Sequence, residues 1–280
     1  MTGEDTRMTH LPEVHAVKLH LQSGWLNIWF DQPDSRNAMT AALTSDLRNT
    51  LLAVREDRTV RGITLAGHHG IFCAGGDLKA FKSSQTSASD ASQNRRGSII
   101  ELSKEGADLF DLINRMPQVV IVMIEGAAMA GGFGMACCAD VVICEKTARF
   151  AMTETAIGLS PAQISPYVIQ KMGYALARRL MLTAARFNGE QAAAMGFADF
   201  VADSLTQMQE IEAQIKKQVL KCAPGAIADT KKLILNIPGM TPEQRVQAAA
   251  ETFADRMLSD EGKEGVASFV EKRAPYWAAE

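Results

Sequence analysis

Two glycine-rich stretches and one glutamate carry the chemistry that this sequence makes available. The stretches are CAGGD at 73 to 77 and AMAGGFG at 128 to 134; the glutamate is Glu154, in the apolar context FAMTETAIGL. Glycines at 126, 131, 132 and 134 admit a close backbone approach that a Cβ would block. Each stretch follows a strand-like run and opens a helix-like one. A helix start presents unpartnered N–H groups at the positive end of the helix dipole, which suits negative charge growing on an oxygen. Two such groups from two corners would make an oxyanion hole. A carboxyl held among apolar neighbours has its pKa raised toward the range useful for moving protons. Each feature taken alone has a plainer reading, since glycine turns are mostly structural and a glutamate can equally pair with Arg or Lys.

The segments that must position these groups alternate between strand and helix patterns. Residues 15 to 20 and 25 to 30 (HAVKLH, WLNIWF) read as two strands parted by Ser23-Gly24, a hairpin. Thr40 is expected to cap a helix carrying Leu43, Leu47, Leu51 and Val54, and Gly62 to Ala66 reads as a short buried strand. A helix is expected to start at Asp77. Lys82 to Gly97 is polar, Ser-rich and aperiodic, the pattern of a loop and a candidate lid. Residues 98 to 116 place Leu102, Leu109, Phe110, Ile113 and Met116 on one helical face, and Pro117 ends it before the strand VVIVMIE. From Met172 onward the pattern is almost wholly helical, with segments at 203 to 222, 225 to 235 and 242 to 272. This predicts an α/β core over residues 1–200 and a C-terminal helical region over 201–280. The tail is apolar all round in places, which suits burial against its own core or against a neighbouring subunit.

Composition narrows the partners. With 47% hydrophobic and 22% charged residues in 280, the chain reads as a globular protein able to bury a sizeable core. A net charge of −3 without a basic run argues against nucleic acid. The longest apolar runs are shorter than a membrane span, and the polar, acidic N-terminus lacks a secretory or transit pattern, so a cytoplasmic protein without a membrane partner is expected. Five cysteines without a C-x-x-C pair suit buried thiols. No spacing suggests a metal, the pair His68-His69 being too little.

At these residues the chain resembles the enoyl-CoA hydratase/isomerase, or crotonase, superfamily. The resemblance rests on FCAGGDLKAF at 72 to 81, IEGAAMAGGFGMACCADVVICEKTARFAMTETAIGL at 124 to 159, GFADFV at 196 to 201 and EGVASFVEKRAPYW at 264 to 277, and it spans residues 14 to 277. It implies a spiral of ββα units with a C-terminal helical trimerisation region, assembled as a homotrimer or a dimer of trimers. It further implies an acyl-CoA thioester substrate with no separate cofactor, CoA being part of the substrate. The thioester oxygen would be held by the backbone N–H groups of Ala74 and Gly131, with Glu154 as acid/base.

One departure shapes the expected reaction. The best-known hydratases of this superfamily carry two glutamates, and here the first of the two positions is Gly134. A single glutamate favours an isomerase that shuttles one proton. The segment TETAIGLSPAQISPYVIQKMG at 153 to 173 instead resembles the branch that hydrates 3-methylglutaconyl-CoA and isohexenylglutaconyl-CoA, in leucine and acyclic terpene breakdown. Such substrates carry a second carboxylate, for which Arg95, Arg96 and His68 are the candidate cations. Met129, Phe133, Met135, Met152 and Ile157 are the candidate lining of an apolar pocket. For CoA the resemblance points to Arg36 and Lys79 near the phosphates, the stretch 72 to 78 with Asp77 near the adenine, and Phe269 and Lys272 from the C-terminal helix of this or a neighbouring subunit. Asp77 can equally serve only to cap its helix. A non-catalytic RNA-binding relative is the remote alternative, and the net charge argues against it.

Overall fold

Ser23 and Gly24 both take positive φ (51° and 71°), the two-residue turn that twists with its flanking strands. They join β1 (Val17–Gln22) to β2 (Trp25–Phe30) as the expected antiparallel hairpin. The chain is described by a computed structural model covering residues 10–86 and 92–278. The elements that follow are α1 (Ala41–Val54), β3 (Gly62–Gly67), α2 (Leu78–Thr86), α3 (Ser92–Asn114), β4 (Val119–Ile124), β5 (Ala127–Met129) and α4 (Gly131–Cys137). Next come β6 (Val141–Glu145), β7 (Arg149–Ala151), α5 (Ser165–Met172), α6 (Tyr174–Thr183), β8 (Phe187–Asn188), α7 (Gly189–Ala194) and β9 (Phe200–Ala202). The tail is α8 (Leu205–Leu220), α9 (Pro224–Asn236), α10 (Pro242–Leu258) and α11 (Asp260–Val270).

The main sheet has the order β1-β2-β3-β4-β6-β9, parallel after the first pair, and a small sheet runs β5-β7-β8. Parallel strands buried on both faces read as continuous apolar runs, as GITLA and VVIVMI do. One face of the main sheet, with Leu26, Ile28, Phe30, Ile63 and Leu65, packs on Leu43, Leu47 and Leu51 of α1. The other, with Trp25, Ile121, Met123 and Ile143, is covered by Met208, Ile215 and Val219 of α8. A buried relay fixes that helix: Trp25 Nε1 donates to Thr64 Oγ1 at 2.8 Å, whose hydroxyl donates to Glu212 Oε1 at 2.5 Å, with Lys216 Nζ on the same carboxylate at 2.8 Å. The hydrophobic core therefore runs on past residue 200 through β9 and α8.

Several expectations are corrected here. The stretch 82 to 97 is helical over its described residues, divided between α2 and the first turns of α3, so it is not an open loop; positions 87–91 of the expected lid lie outside the described residues. Leu102 is 44% exposed, off the buried face formed by Leu109, Phe110 and Ile113. The apparent helix over 242–272 is two helices, parted at Ser259, whose Oγ accepts the Gly262 N–H and caps α11. The stretch beyond Met172 also holds the short strands β8 and β9, which the helical pattern concealed.

Candidate active site

The first corner is held from two sides. On one side, Cys73 N–H donates to the Ala127 carbonyl and Met129 N–H to the Cys73 carbonyl, both at 3.0 Å, so the corner hangs on β5. On the other, Ala74 N–H donates to the Arg36 carbonyl at 3.1 Å and Met39 N–H to the Gly75 carbonyl at 2.8 Å. Gly75 takes φ +102°, and a Cβ there would stand 2.9 Å from the Met129 carbonyl oxygen. Its glycine is therefore required twice over, by conformation and by space. The Ala74 amide is thus already committed, which corrects the expectation that it faces a ligand. The next free amide is that of Gly76.

The second corner meets it there. Ala130, at φ 48° and ψ −119°, turns the chain into α4, and its N–H donates to the Ala151 carbonyl at 2.8 Å. That conformation is nearly a glycine preserve, so strain is stored next to Gly131. A Cβ placed on Gly131 would lie 3.9 Å from the Gly76 nitrogen, 2.8 Å from Met39 Sδ and 4.0 Å from Phe110 Cζ. Neither the Gly76 nor the Gly131 N–H has a partner among the described residues, Gly131 because it is the first residue of α4. Phe81 stands over Gly76, with ring atoms 2.9 Å from where its Cβ would be. The two unpartnered amides therefore lie near one another, with Met39 and Phe110 close to Gly131 and Phe81 close to Gly76.

Glu154 follows β7, whose Ala151 carbonyl receives the Ala130 N–H, so the strand that carries the carboxyl also braces the second corner. It opens a 3₁₀ turn, Glu154–Ile157, held down by Thr155 Oγ1 donating to the Met181 carbonyl at 2.9 Å and by Leu159 N–H donating to the Glu154 carbonyl at 2.9 Å. Its Oε2 is buried and has no hydrogen-bond partner among the described residues, and burial raises the pKa of the group. Among the described residues no Arg or Lys figures among the influences on its pKa. Behind α4, a Cβ on Gly134 would come within 2.1 Å of Ile164 Cγ2 and 2.5 Å of its Cβ. Ile164, just before α5, thus fills the space that a side chain at 134 would need.

Comparison with known proteins places this arrangement. The sequence matches the enoyl-CoA hydratase/isomerase family over residues 20–280. The chain belongs to the enoyl-CoA hydratase/isomerase family. Among solved structures similar to this family member are Pseudomonas aeruginosa AtuE, 38% identical with a TM-score of 0.89 over 95% of this chain and 100% of that one, and an enoyl-CoA hydratase/isomerase from Marinobacter aquaeolei, 34% identical with a TM-score of 0.89 over 94% and 99%. The carnitinyl-CoA dehydratase of Proteus mirabilis is 30% identical over 94% of this chain and 98% of its own. The crotonase fold expected from the sequence is therefore the fold observed, and the protein is an enzyme of the hydratase class.

The remaining expected residues divide sharply in this crotonase. Met129, in the second corner and bonded to the first through Cys73, is half-buried, and Ile157 stands exposed in the turn that Glu154 opens. Phe133, Met135 and Met152 are wholly buried in the core and line nothing; Phe133 joins Phe150, Phe187 and Phe197 in an aromatic cluster. Asp77 caps α2, its Oδ1 accepting the N–H groups of Lys79 and Ala80. The side chains of Arg36 and Lys79 are exposed, while the Arg36 carbonyl holds Ala74. Arg95 and Arg96 lie in the first turns of α3, Arg95 half-buried and Arg96 exposed. His68 stacks on Trp29 at 5.7 Å, and burial, the largest effect, lowers its pKa against the opposing charge of Asp31. Phe269, 86% exposed, and Lys272 stand out from α11 and its end. Among the described residues no helix is long and apolar enough to cross a membrane, and no His, Cys, Asp and Glu side chains group closely enough to hold a metal ion.

Proposed function

We propose that this enzyme adds water across the α,β double bond of a 3-branched glutaconyl-CoA thioester, such as 3-methylglutaconyl-CoA or isohexenylglutaconyl-CoA. The carrying observation is the pair of unpartnered amides at Gly76 and Gly131, together with Glu154, whose Oε2 is buried without a partner among the described residues and which follows the strand bonded to the second corner through Ala130. The thioester oxygen accepts from both amides, which stabilises the negative charge that develops as water attacks the β-carbon. Glu154 in its carboxylate form takes the proton of the attacking water and, once protonated, returns a proton to the α-carbon, so one group serves both steps. The site is built for this economy, because Ile164 fills the space beside Gly134 where a second carboxyl would project. The narrow substrate rests on the resemblance of residues 153 to 173, with Arg95 and Arg96 as the cations for the distal carboxylate. For CoA, Arg36 and Lys79 serve the phosphates and the stretch 72 to 78 the adenine, and Phe269 and Lys272 come from a neighbouring copy in a trimer or a dimer of trimers.

Glu154→Gln is the direct test. Loss of proton transfer is expected to lower turnover about 10²- to 10⁴-fold while CoA binding survives; unchanged turnover overturns the assignment. Comparing crotonyl-CoA, 3-methylglutaconyl-CoA and isohexenylglutaconyl-CoA tests the acyl group, with a preference for the dicarboxylic substrates expected. The lone carboxyl also favours a second reading, a Δ3,Δ2-enoyl-CoA isomerase moving one proton by Glu154. Supplying 3-enoyl-CoA and 2-enoyl-CoA in labelled water separates the two, since only hydration leaves water-derived oxygen in the product.

A further inference from the structure

Asn37 is fully buried, yet both it and Arg36 are left-handed, at φ 55° and 54°. Two successive non-glycine residues in that region persist only where their surroundings enforce it. Here the enforcement is the Asn37 amide. Its Oδ1 accepts the Gln32 N–H at 2.8 Å, and its Nδ2 donates to the carbonyls of His68 at 3.2 Å and Ile71 at 2.8 Å. The side chain therefore stitches the loop before α1 to the turn that leads from β3 into the first corner. Around Asn37 the same loop grips that corner: the carbonyl of the preceding Arg36 receives Ala74 N–H, and two residues after Asn37 the Met39 N–H donates to the Gly75 carbonyl. The peptide groups of 74 and 75 are fixed by these bonds, and the amide that follows them in the chain is that of Gly76.

We propose that Asn37 is a positioning residue for the Gly76 donor, holding the 36–39 loop so that the Gly76 N–H is kept unpartnered and set opposite Gly131. This rests on the reading of Gly76 and Gly131 as the donors to a thioester oxygen. Asn37 itself touches no reacting atom. A merely structural role would lower stability and leave the polarisation of a bound carbonyl unmoved, so the measurement must see that carbonyl.

The experiment uses the full-length protein and butyryl-CoA labelled with ¹³C at the thioester carbonyl, which has no double bond to hydrate. Infrared difference spectra report the downshift of the carbonyl stretch on binding. Asn37→Gly keeps the left-handed backbone accessible while removing the amide, and Asn37→Ala removes it without that allowance. In folded Asn37→Gly the downshift is expected to shrink by about half, with turnover of the enoyl thioester falling about 10²-fold, the scale of losing one oxyanion donor, and KM changing little. A wild-type downshift and turnover in either folded variant overturns the proposal, as does failure of both variants to fold by circular dichroism, which would make Asn37 a folding residue alone. Absence of any downshift in the wild type removes the donor reading itself and the proposal with it.

Discussion

At the scale of single residues, the site turns on which groups lack partners. The buried Glu154 carboxyl has its pKa raised, so the neutral form is favoured in the fold. The stability it contributes is fully present below its unfolded pKa and is lost as pH rises through the folded value. Two outcomes follow. If the carboxylate is the base as proposed, kcat/KM is expected to fall as the pH is lowered through a value above the ordinary 4.5. Glu154→Gln melts higher than wild type at pH 7, and the gap closes below 4.5, readable in melting curves at both pH values. Gly134→Ala, forced against Ile164 Cβ and Cγ2, is expected to cost about 1–3 kcal/mol in urea unfolding. The glycine-rich corners and the apolar setting of Glu154 were legible in the sequence, since glycine spacing and an apolar neighbourhood are local signals, whereas Gly131 itself came from the family resemblance. Gly76 was not, because the amide that stays free in CAGGD is decided by the Arg36 carbonyl, far off in the chain. Asn37, Met39 and Phe81 left no periodic trace, and their roles arise only where loops converge.

Among the elements, local signals served well and crowding decided the rest. The Ser23-Gly24 hairpin and the Thr40 cap, whose Oγ1 accepts the Leu43 N–H, need only near neighbours, and both were readable. The stretch 82 to 97 misled because the first turns of α3 run out beyond the core and carry no apolar period, with Ile99 and Leu102 exposed even where the helix is regular. Phe133, Met135 and Met152 misled in the opposite sense, since proximity in sequence to the corners does not tell an inward face of α4 or β7 from the site face. One side chain ties distant elements together. The half-buried Arg61 guanidinium donates to the carbonyls of Val219, Leu220 and Cys222 at the end of α8 and of Trp277 near the end of the chain. Removing it leaves the last carbonyls of α8 without their donor, so Arg61→Ala is expected to lose about 1–3 kcal/mol in denaturant unfolding, with the far-ultraviolet spectrum largely kept.

The whole molecule shows an unfinished surface on its C-terminal side. Val246, Phe253 and Leu258 on α10 and Phe269 and Val270 on α11 are each about 70% exposed or more, although the sequence pattern allowed them to be core. Their burial between copies is the arrangement proposed above, and Phe253→Glu is expected to shift the protein toward monomer in sedimentation velocity; an unchanged wild-type assembly would refute that placement. The joining of the two corners has one more consequence. The Met39 to Gly76 and Cys73 to Ala128 bridges bring together segments that lie far apart along the chain, each as a single pairing and not as part of a longer ladder. Contacts of such separation close late, after loop entropy has been overcome, whereas helices form from neighbours. During refolding, helical signal is therefore expected to return ahead of catalytic competence, with the two corners the last parts to be joined, as stopped-flow circular dichroism run beside an activity-recovery assay would read.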